Sequence, residues 1–119
     1  GLFCSTPMVA LSRVVGRKQA MEMLLSGHPV DATTAQAWGL INHAVAPDRL
    51  EAEVAAMASL IAGKSPYTVK TGKGAFYRQA EMGLDEAYAY AAQVMTSNLL
   101  ARDAQEGIDA FLTKRPPRW

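Results

Sequence analysis

A mainly α-helical fold is predicted by three features of this 119-residue chain. Apolar residues recur three and four positions apart along most of its length, the spacing that puts side chains on one face of a helix. Gly and Pro cut those stretches into helix-sized pieces. A single run, Ile41–Val45, alternates in the manner of a short strand.

At the N-terminus, Ser5 or Thr6 can cap a first helix, with Pro7 at its first position, where a missing N–H costs nothing. Met8 to Val15 continues it, and Gly16 separates it from the next. Arg17–Ser26 holds good helix formers and no interior Gly or Pro. Ala20, Met21, Leu24 and Leu25 make one apolar face. Gly27 supplies a left-handed stop and Pro29 cannot extend the helix. Asp31 is an N-cap for a short helix to about Trp38, which Gly39 ends. Leu40 and Ile41 then read as extended, and Ile41, His43 and Val45 alternate with Asn42 and Ala44.

Asp48 starts a long helix to about Ala62, with Leu50, Val54, Met57, Ala58 and Ile61 on one face. Glu51 and Glu53 complement its positive start. Gly63-Lys64-Ser65-Pro66 is a break: Ser65 caps and Pro66 opens a helix running from Tyr67 to about Met82. Gly72 and Gly74 weaken that helix by ~1 kcal/mol each relative to Ala, which suggests that another backbone approaches there. Gly83 ends it. Asp85 or Glu86 begins a helix to about Ala101, with Leu84, Tyr88, Ala91, Met95 and Leu99 at helical spacing. Asp103 caps a last helix that stops before Pro116-Pro117. Stripes this apolar need cover, either by self-association or within a compact bundle.

Composition narrows the function. The length fits one domain. Half the residues are hydrophobic and 19% are charged, ordinary for a soluble globule. A net charge of +1 argues against bulk nucleic-acid binding, which needs a concentrated basic face. No apolar run approaches the ~20 residues that span a bilayer. The lone Cys4 cannot form an internal disulfide, so a reducing compartment is expected, and no base is at hand to make it a nucleophile. His28 and His43 have no partners at metal-ligand spacing. Gly72-Lys73-Gly74 lacks the spacing of a phosphate loop. Asp85 and Glu86 point in different directions on a helix. Lys64, Lys70 and Lys73 read as a solvated face; Tyr67, Tyr77, Tyr88 and Tyr90 read as packing and interface residues.

Three ordered segments carry a resemblance. Leu24-Leu25-Ser26-Gly27, Asp31-Ala32 with Ala35, and Trp38-Gly39-Leu40-Ile41 form the first. Val45-Ala46-Pro47 to Leu50 is the second, and Glu106-Gly107-Ile108-Asp109-Ala110-Phe111-Leu112-Thr113-Lys114-Arg115 the third. Together they resemble the crotonase superfamily of enoyl-CoA hydratases and isomerases, over its C-terminal half. The resemblance implies the helical C-terminal part of the crotonase α/β spiral fold: residues 1–46 end the core, and residues 47–119 form the trimerisation and CoA-contacting region. It also implies that the two catalytic glutamates and the oxyanion hole lie upstream of Gly1, so no catalytic residue falls in this chain.

Two sites follow. Helix starts present free N–H groups and partial positive charge. In the Gly1–Pro7 loop, the resemblance implies that Leu2 and Phe3 touch an acyl chain while Cys4, Ser5 and Thr6 rim the reaction site. Where the family carries Pro-Gly-x-Gly-Gly, this chain has Cys4-Ser5-Thr6-Pro7-Met8, as in a subgroup of enoyl-CoA-hydratase-domain proteins. The plainer alternative is that Ser5 or Thr6 only caps a helix. In the last helix, Phe111 and Lys114 are three apart and share a face, and an aromatic ring beside an ammonium suits a nucleotide. The resemblance assigns them the adenine and phosphates of CoA, held mainly by a neighbouring subunit. Arg115 and Arg118 can add to the positive field. The alternative places Ile108, Phe111 and Leu112 in the core, with Lys114 and Arg115 complementing the helix dipole. The function implied is hydration of trans-2-enoyl-CoA, with isomerisation or a non-catalytic acyl-CoA-binding or oligomerisation role as alternatives. The CoA thioester is a substrate, so no cofactor or metal is expected. Partners are further copies of the chain, as trimer or hexamer, with no nucleic acid and no membrane. The compartment is the cytoplasm in a bacterium or the mitochondrion in a eukaryote.

Overall fold

A computed structural model describes residues 1–119. Its helices are α1 (Ser5–Val14), α2 (Arg17–Ser26), α3 (Ala32–Ala37), α4 (Leu50–Ala62), α5 (Pro66–Gln79), α6 (Leu84–Leu99) and α7 (Arg102–Leu112), with a 3-10 turn at Pro47–Arg49 leading into α4. The mainly helical class is as predicted. Two compact units divide the chain, Gly1–Glu53 and Val54–Trp119.

In the first unit, α1 packs against α2. Neither Ser5 nor Thr6 caps α1: Cys4 holds the N-cap without a side-chain bond, and Ser5 is already helical. The Met8 amide donates to the Cys4 carbonyl (3.1 Å), so the first turn closes one residue earlier than expected. Pro7 still falls within that turn, where no intrahelical donor is required. In α2 the buried side is Ala20 with half-buried Met23 and Leu24, while Met21 and Leu25 stay exposed. Gly27 ends it at φ 63°, in the left-handed region.

Asp31 caps α3 twice over. Its Oδ1 accepts the Thr34 amide and its Oδ2 the Thr34 hydroxyl, both at 2.9 Å. These bonds, the backbone one foremost, hold its carboxyl below the usual range. Gly39 (φ 80°) then turns the chain. Its amide reaches the Gln36 carbonyl (3.0 Å) and the Leu40 amide reaches the Ala35 carbonyl (2.9 Å), the paired bonds of a Schellman motif.

The expected strand at Ile41–Val45 does not form, and Leu40–Ile41 bends rather than extends. A strand needs a second backbone to bond with, and no strand exists in this chain to offer one. The Ala44 amide instead bonds the Gln36 side chain.

The division between units falls within α4, which buries none of its residues. Its expected core face stays exposed, including Leu50, Val54, Met57 and Ile61. Ser65 caps α5 by accepting the Thr68 amide (3.1 Å), and Pro66 opens the helix. The helix stops at Gln79 rather than Met82, because the Met82 amide bonds the Gln79 carbonyl (3.1 Å) in a tighter turn. α5, α6 and α7 pack on one another. The half-buried residues of α6 are Ala87, Tyr90, Val94 and Asn98. The stripe expected to be core lies elsewhere on that helix: Leu84, Tyr88, Met95 and Leu99 are 73%, 72%, 60% and 52% exposed. α6 is therefore apolar on two faces, and one has no cover within the unit.

Asp103 is not the cap of α7; Ala101 holds that position. Its carboxylate is engaged elsewhere, accepting the Ser65 hydroxyl at 2.6 Å and the Arg102 Nε at 3.1 Å. Ser65 is buried, so one hydroxyl joins the starts of α5 and α7. Beyond the helix's own adjoining backbone, no atom lies within 4 Å of where a Cβ would stand on Gly72 or Gly74, so no other element of this chain makes the close approach expected there.

Two glycine substitutions separate backbone conformation from packing. Gly27 also has open space at its Cβ position. Gly27→Ala should cost about 1 kcal/mol through left-handed strain alone, whereas Gly72→Ala should stabilise by up to about 1 kcal/mol through helix propensity. Chemical denaturation of the two variants measures both signs.

Candidate functional site

The residues singled out from sequence lie in separate units. Leu2, Phe3, Cys4, Ser5 and Thr6 run into α1, and all five are exposed. Leu2 is 92% exposed. The Ser5 amide donates to the Phe3 carbonyl (2.8 Å), which bends the chain into the helix. This loop offers two apolar side chains, a free thiol and two hydroxyls at a helix start.

Phe111 and Lys114 stand at the other end of the chain. Phe111 is the penultimate residue of α7 and is 83% exposed, so it is not core. Ile108 and Leu112 are exposed as well. Lys114 does not share the helix face with Phe111, because α7 ends at Leu112 and Lys114 adopts φ 54°. Its amide donates to the Phe111 carbonyl (3.3 Å), and the Arg115 amide donates to the Ala110 carbonyl (2.9 Å). This is again a Schellman motif, here with lysine at the left-handed position. The ring and the ammonium are therefore set by a turn, not by helical spacing.

Beyond the turn, the tail runs back along α7. Arg115 makes a forked bond to Glu106 (2.6 and 3.0 Å) and a third to Asp109 (2.5 Å). The Arg118 amide donates to Glu106 (2.7 Å), and the Arg102 guanidinium donates to the Arg118 carbonyl (3.2 Å). The Trp119 indole donates to the Gly63 carbonyl (2.9 Å). A Cβ on Gly107 would come within 3.3 Å of the Trp119 ring, which accounts for glycine inside α7. The Arg115 fork, then the Arg118 amide, hold the Glu106 carboxyl at about 2, well below its ordinary 4.5. The same carboxylates push Arg115 up. Arg115 is thus spent on two carboxylates and does not add to a positive field. The Glu106–Asp109–Arg115 network escaped the sequence reading. Its signal was two acids three apart on one helix with an arginine past the helix end.

Other candidates resolve more simply. Lys64, Lys70 and Lys73 are exposed and line, with Ile61, Val69 and Tyr77, an open groove of about 560 Å³. Tyr90 lies under the Arg78 guanidinium, 4.7 Å from ring centre to charge, and Phe76 meets Tyr77 edge-on. No group of three or more His, Cys, Asp or Glu side chains could hold a metal ion. No helix is long and apolar enough to cross a membrane.

Comparison with known proteins draws these observations together. Residues 2–119 match a family model described as enoyl-CoA hydratase/isomerase. The mitochondrial enoyl-CoA hydratase domain-containing protein 3 of Rattus norvegicus is 49% identical over the whole chain, which spans 40% of that relative. A crystal structure of an enoyl-CoA hydratase from Mycobacterium smegmatis superimposes with a TM-score of 0.97 at 51% identity; the match covers 100% of this chain and 46% of that one. The human enoyl-CoA hydratase domain-containing protein 3 gives 0.96 at 48%, covering 100% and 47%. The chain thus spans about two-fifths to one-half of the proteins it matches.

The depressed Glu106 carboxyl makes stability depend on acid. A carboxylate favoured by the fold contributes stability that is fully present above its ordinary 4.5 and lost as pH falls toward about 2. Thermal melts should fall across that window in the native sequence, and Glu106→Gln should flatten the fall.

Proposed function

The chain belongs to the enoyl-CoA hydratase/isomerase family, and from that premise we propose that it is the C-terminal half of an enzyme that hydrates trans-2-enoyl-CoA thioesters. The observation that carries the reading is the turn after α7, where an exposed aromatic ring and an ammonium with no partner are presented close together along the backbone. Phe111 offers a face for adenine, and Lys114 a charge for the phosphates of CoA. Leu2 and Phe3 line the acyl pocket; Cys4, Ser5 and Thr6 rim the thioester end.

Hydration needs a base to take a proton from water as oxygen bonds C3, an acid to deliver a proton to C2, and paired N–H donors for the enolate oxygen. No group in this chain is assigned to those steps. They belong to the part of the relatives that this chain does not span. The thioester is substrate, and neither cofactor nor metal is invoked. The bare faces of α4 and α6 take their cover from the rest of the subunit and from neighbouring copies, in a trimer or hexamer. A mitochondrial compartment is supported by the names of the eukaryotic relatives, and the cytoplasm is the counterpart in a bacterium.

One feature favours a second reading. Cys4-Ser5-Thr6-Pro7-Met8 brings side chains where a glycine-rich loop would admit backbone to the substrate, which suits an isomerase or a non-catalytic acyl-CoA binder.

In the full-length protein, Lys114→Ala should weaken CoA-thioester binding roughly tenfold, the scale of one charge-assisted contact, without lowering the melting temperature. Calorimetric affinity unchanged from the native protein would remove Lys114 from the site. The segment on its own should show no hydratase turnover. Loss of crotonyl-CoA absorbance above the buffer rate would contradict the placement of the acid and base outside it.

A further inference from the structure

Three residues of the chain occupy the left-handed region: Gly27, Gly39 and Lys114. Gly39 and Lys114 do the same job. Each is the turning residue of a Schellman motif, with the same two bonds back to the helix. Glycine meets no Cβ penalty there, whereas lysine does. Lys114 gains nothing that would offset this locally, since its ammonium forms no hydrogen bond or ion pair and is exposed. The compensation comes from the next residue. Arg115 is locked by its fork to Glu106 and its bond to Asp109, and the same Glu106 takes the Arg118 amide. The chain cannot leave the turn without breaking these charge-assisted bonds.

We propose that Glu106 and Arg115 form a positioning clamp that holds Lys114 in its left-handed conformation and so presets its ammonium for the phosphates of a nucleotide-bearing thioester. The inference rests on the reading of Lys114 as the phosphate contact. Without the clamp, the turn at Lys114 would be less ordered before binding, and ordering it would be subtracted from affinity. Glu106 and Arg115 themselves touch no ligand; both act through Lys114.

The test is calorimetry on the full-length protein with two probes, CoA and pantetheine, the second lacking the nucleotide. Glu106→Gln should weaken CoA binding about three- to tenfold, the scale of lost preorganisation at one charged contact, and leave pantetheine unchanged. Arg115→Lys, which keeps the charge but loses the fork, should behave the same way. In the Lys114→Ala background, Glu106→Gln should add nothing. Amide hydrogen exchange at Arg115 should quicken in both clamp variants as its bond to Ala110 loosens. Equal weakening of CoA and pantetheine, or full additivity in the double variant, would overturn the clamp. A CoA loss from Lys114→Ala with none from Glu106→Gln or Arg115→Lys would sink the clamp and leave the phosphate reading standing. No loss from Lys114→Ala would remove both.

Discussion

A shortage of core governs this molecule. The buried hydrophobic residues are Val15, Ala20, Ala35 and Ala110, three of them alanines. Ordering the backbone costs about 1–2 kcal/mol per residue, and a buried methyl returns only about 0.8 kcal/mol. Meanwhile Leu84, Tyr88, Met95, Phe111 and Leu112 face outward. Helices tolerate this arrangement because each satisfies its own backbone hydrogen bonds. Their side chains still require a neighbour, and apolar patches of this kind mark contact surfaces. The chain spans 40% of its rat relative.

Against that background, the ordered polar features stand out as local and specific. Asp31 at α3, Ser65 between α5 and α7, and Glu106 beneath the tail each satisfy more than one donor or link two elements. They fix where helices begin and where the chain reverses, tasks that apolar contact performs poorly because it has no direction. The end of α7 carries this furthest. Its polar network holds a turn, and the turn sets the relation between Phe111 and Lys114.

What could be read from the sequence follows the range of the interactions. Gly16, Gly27, Asp31, Ser65 and Pro66 act on residues up to four positions away, and the limits of α2, the start of α3 and the break before α5 were legible from them. Interactions over longer range were not. Asp103 has the chemistry of a cap, but Ser65, 38 positions earlier, draws its carboxylate away. Ile41–Val45 has the pattern of a strand but no second strand. The stripe on α6 is real, yet periodicity says only that a face is apolar, not which of two faces the unit covers. At the site, the identities of Phe111 and Lys114 were visible, and their geometry was not. Helical spacing is replaced by a left-handed turn, followed by a tail that Arg115 bonds back onto α7.

The fastening of the C-terminal residue has an optical consequence. The chain holds two tryptophans. Trp38, half-buried, closes α3 in the first unit, and Trp119 bonds Gly63 in the second. Each unit therefore carries its own fluorophore. Replacing either indole with phenylalanine leaves a single emitter, so that detachment of the terminal segment and melting of the N-terminal helices become two separable spectral signals.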